Sequence, residues 1–435
     1  MEKKMLARYP IGNPRRKWRQ DNFILAISHP GVKDLKLKTP ITPWHLEKTR
    51  RAVETVADAG FTLVGTTWAS QAGIMEVVRT AERLGLSVFY GDFMSFTGMG
   101  FSKTLPKHEP EAILDVIRRL KNWKSIIGFF TYDEPINDEQ RRITREMQDI
   151  VERECPDMMP LTVTAAGKER MEKMAEEVDP PYTYFDFYPL GNTKQMLEPE
   201  DQLDHSKLWY LLELNRRIAQ KTGAPMAFVY QGQELFYHPR FDQYTFAASR
   251  MMANAALLYG AKFLSSYIEF NGTIDSETGS RGTSFEEQKA LNRSISVLGN
   301  TLMALESKRV IHDESVSAKD IEEWNDYRYT MEDSELLTGV LDHRISVSEL
   351  TDAYGHRYLM VLNRDYKSEK HYRLVCKEPS RVYRIDGETG LERLAYEGEE
   401  ITGCLQPGCM ALYRIQSLFE EPYLVEYYLE KDEGQ

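Results

Sequence analysis

The stretch Ser125-Ile-Ile-Gly-Phe-Phe-Thr-Tyr-Asp-Glu134 is an apolar run closed by two acids, with Pro135 and Asn137 just behind them. Aromatic and β-branched residues over so short a length predict a buried strand that ends at the acids. Asn137 then opens a helix over Asp138–Glu154, which Pro156 closes, and Pro110 opens an earlier helix over Glu111–Trp123. The same unit of strand, polar loop and helix recurs in both directions. Its strands are read at Phe23–Ser28, Phe61–Trp68, Leu86–Asp92, Ser125–Glu134, Met159–Ala165, Tyr182–Tyr188, Met226–Gln231 and Phe263–Phe270. Thr42-Pro43 starts one helix and Ala59-Gly60 ends it. Gly223 closes Ser206–Thr222, Gly260 closes Asp242–Tyr259, and the last helix runs from Ser284 to about Ser307.

Strands that alternate with helices pair in parallel through right-handed crossovers. Eight such units match the number that closes a (β/α)8 TIM barrel, here placed at residues 22–310. An open doubly wound sheet would carry a glycine-rich fingerprint after its first strand, and Ser28-His29-Pro30-Gly31 is not one. Past residue 310 the texture changes to short alternating runs such as Arg357–Asn363, His371–Cys376, Arg381–Ile385 and Met410–Ile415, with turns at Asp386-Gly387 and Pro407-Gly408. Residues 311–435 are therefore expected to form a small all-β sandwich domain with an acidic tail, whose Tyr423–Leu429 portion adds a strand or docks on the barrel. Residues 1–21 are read as an N-terminal arm, with Arg15-Arg16-Lys17-Trp18-Arg19 solvated.

Across 435 residues, 55 Lys+Arg stand against 67 Asp+Glu, a formal net charge of −12. That balance argues against nucleic acid and anionic membranes as partners. Hydrophobic residues at 42% and charged ones at 28% belong to a folded globular chain, not a disordered one. No run reaches the ~20 apolar residues of a membrane span. Met1–Gln20 has no apolar core of a secretory leader, so the expected location is cytoplasmic, with secretion requiring a leader absent from this sequence. Cys155, Cys376, Cys404 and Cys409 are scattered, which fits a reducing compartment and no disulfide framework. No His, Cys or acid cluster has ligand spacing, so neither a metal nor another cofactor is expected. Self-association is left open.

Barrel active sites lie at the carboxyl ends of the strands, and side chains alternate along each strand. In strand six, Thr183, Phe185 and Phe187 are read outward, leaving Tyr184, Asp186 and Tyr188 inward. In strand seven, Met226, Phe228 and Tyr230 go outward and Gln231 inward; in strand eight, Leu264, Ser266 and Ile268 go outward, with Tyr267 and Glu269 inward. Strand four ends in adjacent acids, of which only one can face the axis unless the strand has already ended. The inferred mouth holds Trp68, Asp92, Glu134, Asp186, Tyr188, Gln231, Glu234, Tyr267 and Glu269, with His29 its one histidine. Aromatic faces suit the C–H surfaces of sugars, carboxylates and amides bind hydroxyls, and paired carboxylates supply the acid and the base or nucleophile of glycoside cleavage.

This order resembles (β/α)8 glycoside hydrolases of the clan whose acid/base is a Glu at the end of strand four, within an Asn-Glu-Pro motif. Here the matching stretch is Tyr132-Asp-Glu-Pro135, with Asp133 in place of Asn. Together with Asp186-Phe-Tyr-Pro189 it is similar to less characterised bacterial barrel glycosidases that also end in a β-sandwich. The resemblance implies a hydrolase of carbohydrate metabolism, cleaving O-glycosidic bonds of an oligosaccharide or glycoside, with Glu134 as general acid/base. The clan's nucleophile ends strand seven, where this chain has Gln231, so Glu234 in the following loop and Glu269 on strand eight both stand as the second carboxylate. Trp68, Asp92, Asp133, Asp186, Tyr188, Gln231 and Tyr267 are the expected substrate ligands. Two rival readings keep the barrel: a non-catalytic carbohydrate-binding protein, and substrate-assisted hydrolysis of the hexosaminidase type, with Asp133 orienting an acetamido group and Glu134 the acid. A sugar-acid lyase or isomerase would want Lys, Arg or a metal at the mouth, which this list lacks.

Overall fold

The first strand, β1 (Glu2–Arg8), stands outside the barrel, which is built from β2 (Ile24–Ser28), β3 (Leu63–Gly65), β4 (Ser87–Tyr90), β5 (Ile126–Asp133), β6 (Met159–Val163), β7 (Thr183–Asp186), β8 (Met226–Gln231) and β9 (Phe263–Tyr267). The computed structural model describes residues 2–8, 11–28, 42–66, 71–91, 110–190, 203–232, 245–267, 272–318 and 321–429. The eight barrel strands are parallel in the order β6-β5-β4-β3-β2-β9-β8-β7. A parallel bridge between Thr164 and Phe185 closes the ring, with the Thr164 N–H donating to Tyr184 O at 2.8 Å. All eight strands lie inside the runs read from the sequence, and the helices at Pro43 and Asp138 start where their caps indicate. Thr42 caps Pro43–Asp58 through a capping box with His45, and Asn137 Oδ1 accepts from Gln140 N at 2.9 Å.

Strand alternation sorts the side chains into two cores. Phe185, Met226, Phe228, Tyr230 and Leu264 point out against the helices. Phe89, Met159, Leu161, Tyr182, Tyr184, Val229 and Phe263 point in and fill the barrel. Gly128 of β5 is required by this filling, because a Cβ there would meet Met159 O at 2.4 Å and the Phe89 ring at 2.7 Å.

The basic arm is solvated at Arg15, Lys17 and Arg19, but Arg16 and Trp18 are buried. Trp18 is buried in the inner core and packs on Tyr182 with ring centroids 5.4 Å apart, so it plugs the amino end of the barrel. Arg16 has a side chain 3% exposed and donates to Asp179 O at 2.5 Å, Val178 O at 2.6 Å and Glu152 Oε2 at 3.1 Å. These carbonyls end the helical segment Lys168–Val178, whose last turn is a π-turn, leaving C=O groups without helical partners. The arginine satisfies them, which is why this one charge of the run is buried.

The second domain is one antiparallel sheet of seven strands: β10 (Glu306–His312), β11 (Leu337–Thr338), β12 (Ile345–Thr351), β13 (Arg357–Asn363), β14 (Lys370–Ile385), β15 (Glu392–Leu405) and β16 (Met410–Ser417). It begins at Glu306, ahead of the boundary read at residue 310, because β10 pairs with β12 along its length. The sheet curls about its own core, where Leu359 and Val361 of β13 meet Leu374, Ile401 and Tyr413. The other face of β13, Tyr358, Met360 and Leu362, joins the core of the barrel helices, so the two domains share one apolar body. Arg364, fully buried, bonds Asp204 of the barrel and Asp313 and lies 5.6 Å from the Trp209 ring centre. The tail β17 (Tyr423–Leu429) pairs in parallel with β1, bringing the two ends of the described chain together. Among the described residues no helix is long and apolar enough to cross a membrane.

Arg16 and its neighbour separate burial from charge. Arg16→Ala is expected to cost about 3 kcal/mol, the range for removing one member of a buried polar network. Arg15→Ala, whose side chain is 48% exposed in its pair with Asp179, is expected to cost under about 1 kcal/mol. Thermal or urea denaturation of the two variants checks the contrast; equal losses would contradict it.

Candidate active site

The carboxyl end of β5 departs from a regular strand twice. Its register slips against β4 between the pairs Val88–Ile126 and Phe89–Gly128, and against β6 between Phe130–Leu161 and Tyr132–Thr162. Each slip inserts a residue and resets which face the following side chains take. Thr131 at the second slip is held by donating to Leu161 O at 3.0 Å. The strand then stops at Asp133, and Glu134 turns left-handed with φ 46°. That conformation costs a residue with a Cβ about 1–2 kcal/mol. The Glu134 N–H donates to Val163 O at 3.0 Å and secures the turn.

The turn releases the two acids from strict alternation. Both come within electrostatic reach of Asp186, the last residue of β7, which shares a hydrogen bond with Glu134 and another with Tyr188. Glu134 is exposed, while Asp133, Asp186 and Tyr188 are half-buried. Burial, with the charge of Glu134 adding to it, pushes Asp133 up to about 7. Burial and the charges of Glu134 and Asp133 push Asp186 well above the carboxylate range, and the Tyr188 hydroxyl opposes them. Asp133 and Asp186, both raised beside the charge of Glu134, hold a proton between them near neutral pH. Asp186 Oδ1 is buried with no hydrogen-bond partner.

Beneath the acids lies a support that the sequence reading did not include in the site. The Tyr184 hydroxyl bonds Ser265, whose Oγ is 3.2 Å from Ser28 Oγ, and the Tyr184 ring stacks on Phe263 at 4.9 Å. The available signal was inward parity combined with a hydroxyl near a strand end. Tyr188 and Tyr267 stack on each other with centroids 4.8 Å apart and planes 20° apart, so each ring has one face covered by the other. Gln231 departs from expectation as a substrate ligand. It is fully buried, its Oε1 accepts from Leu190 N at 3.1 Å and its Nε2 donates to Leu190 O at 3.0 Å, which makes it a clamp on the loop after β7. Trp68, Asp92, Glu234, Glu269 and His29 lie outside the described residues. Among the described residues, the one trio of His, Cys, Asp or Glu with ligand atoms close enough for a shared ion is Glu369, His371 and Cys404, in the second domain.

A scan against protein-family models finds no match to this chain, and a search of curated proteins finds none. Solved structures do match in fold. A GH42 β-galactosidase from G. stearothermophilus aligns at 8% identity over 94% of this chain and 100% of that one, with a TM-score of 0.58. A GH27 β-L-arabinopyranosidase from Geobacillus stearothermophilus aligns at 8% identity over 92% of this chain and 98% of that one, with a TM-score of 0.53. This chain has the fold of those proteins: a parallel eight-stranded barrel followed by an antiparallel β domain.

The raised acid has a measurable consequence. Between its ordinary value of 3.8 and about 7, Asp133 holds its proton more tightly in the folded chain than in the unfolded one, so its contribution to stability falls as pH rises through that window. Asp133→Asn removes this slope. Relative to the parent, the variant is expected to gain about 2–3 kcal/mol on going from about pH 4.5 to 7.5. Denaturation at the two pH values checks it; an unchanging difference would show that Asp133 titrates normally.

Proposed function

We propose that the protein is a glycoside hydrolase that binds a saccharide in the barrel mouth and cleaves an O-glycosidic bond with Glu134 as general acid/base. The observation that carries this reading is the gathering of Asp133, Glu134 and Asp186 at the carboxyl end of a parallel barrel, where burial and mutual charge raise Asp133 and Asp186 above the carboxylate range. A leaving alkoxide needs a proton, and Glu134 is the most exposed of the three toward solvent. In this mechanism Glu134 Oε–H protonates the glycosidic oxygen as the C–O bond breaks. A second carboxylate attacks the anomeric carbon or takes a proton from the attacking water. Glu234 and Glu269 remain the proposed second acids. A spacing from Glu134 of about 5–5.5 Å goes with retention and about 6.5–9.5 Å with inversion.

Asp186 and Asp133 act on Glu134 through proton sharing and charge, and Tyr188 orients Asp186. Tyr188 and Tyr267 offer their outer faces to a sugar ring, with Trp68 and Asp92 completing the proposed ligands. The solved structures of like fold are named for galactosides and arabinopyranosides, which supports a carbohydrate substrate. Four free cysteines fit a cytoplasmic location.

One observation favours substrate assistance as a second reading. The left-handed turn at Glu134 brings adjacent acids toward one point, which a mechanism with its nucleophile across the barrel does not require. There Asp133 would orient a 2-acetamido group whose oxygen attacks the anomeric carbon.

Glu134→Gln assayed on aryl glycosides with and without a 2-acetamido group tests both readings. Turnover is expected to fall about 10²–10⁴-fold, with less loss for leaving groups that depart without a proton. Unchanged turnover on whichever glycoside the parent cleaves would remove Glu134 from the mechanism. Cleavage confined to acetamido sugars, and lost in Asp133→Asn, would select the substrate-assisted form.

A further inference from the structure

Antiparallel pairing assembles a second chemical cluster that linear spacing conceals. We propose that Glu369, His371 and Cys404, on the outer face of the β14–β15 hairpin, form a three-ligand site for a divalent transition metal of the zinc type. One ligand atom from each lies within 4.8 Å of the others. Metal–ligand bonds of about 2.0–2.3 Å set ligand-to-ligand distances of about 3.3–3.8 Å in a tetrahedron. The closure needed is about 1 Å, within reach of rotation by exposed side chains.

The base of the site is rigid. His371 and Cys404 are directly opposed in the ladder, and their neighbours Tyr372 and Leu405 are buried in the core of the domain, which turns the pair toward solvent. The ligand atoms are available. No hydrogen bond engages either ring nitrogen of His371 among the described residues, and Cys404 is an exposed free thiol. Glu369 Oε2 accepts from Gln406 Nε2 at 2.9 Å, which orients the carboxylate and leaves Oε1 for an ion. Sulfur, imidazole and carboxylate together select zinc-like ions over magnesium or calcium, and three protein ligands leave a fourth position to water. On binding, the Cys404 thiol releases its proton to solvent as the sulfur–metal bond forms.

The location suggests what the ion does. Lys370 opposite Leu405 is the last pair at the open end of this long hairpin, and among the described residues β15 has β14 as its one neighbour in the sheet. A bound ion cross-links the two strands at the open end of that hairpin.

The test uses the full chain, reduced and stripped with a chelator, titrated with Zn2+ against a chromophoric competitor and separately with Co2+. One ion per chain is expected, with micromolar affinity and a sulfur-to-cobalt charge-transfer band. Cys404→Ser should abolish the band, and His371→Ala should weaken binding about tenfold or more. Zinc should raise the thermal midpoint of the parent and leave that of H371A/C404S unmoved. All three side chains are exposed, so the variants keep the fold. No saturable uptake, or uptake that H371A/C404S retains in full, would overturn the proposal.

Discussion

Two hydrogen bonds and one torsion shape the mouth of this barrel. Thr131 donates to Leu161 O, Glu134 N–H donates to Val163 O, and between them the backbone leaves the extended region for a left-handed turn at φ 46°. An extended strand would have sent Asp133 and Glu134 to opposite faces, one toward the helices and one toward the axis. With the turn in place, both negative charges bear on Asp186, and the proton held by the cluster follows from that crowding. The strain is small beside the packing that enforces it: the strand is filled on the inside by Phe130 and Ile127 and on the outside by Phe129 and Tyr132.

The rest of the molecule keeps that strand end in position. Trp18 and Arg16 seal the amino end of the barrel, so its interior is a packed core. The β domain covers the outer helices through β13, a strand buried on both faces, and Arg364 ties it to Asp204 in the segment that leads from β7 to the next helix. Gln231 holds Leu190 at the near side of that same connection. The acids therefore sit on rigid strands, with a loop fastened at Leu190 and at Asp204.

Much of this was legible in the residues. Eight apolar runs spaced by capped helices announced the barrel because burial on both faces and the caps of helices are local demands on composition. Parity along strands six, seven and eight placed Asp186, Tyr188 and Tyr267 inward for the same reason. Strand four resisted the same reading, since a bulge adds a residue without leaving a mark in hydrophobicity. Gln231 was misjudged because an inward amide at a strand end looks the same whether it meets a ligand or the backbone of Leu190. Arg16 looked as solvated as the exposed residues beside it because the carbonyls that recruit it lie far along the chain, at Val178 and Asp179.

Local patterning alone thus determined the number of strands, their order of alternation with helices, the change to β structure in the last third and the acids at the end of strand four. Those features depend on interactions between residues close in sequence, where periodicity records burial directly. Tertiary structure decided which acids meet, which hydroxyls support them and which polar residues are consumed inside the protein. It also decided that Glu369 and His371 would face Cys404 across a ladder. Each of these depends on through-space distances set by ring closure, strand register and a single backbone torsion, quantities that no short stretch of residues specifies by itself.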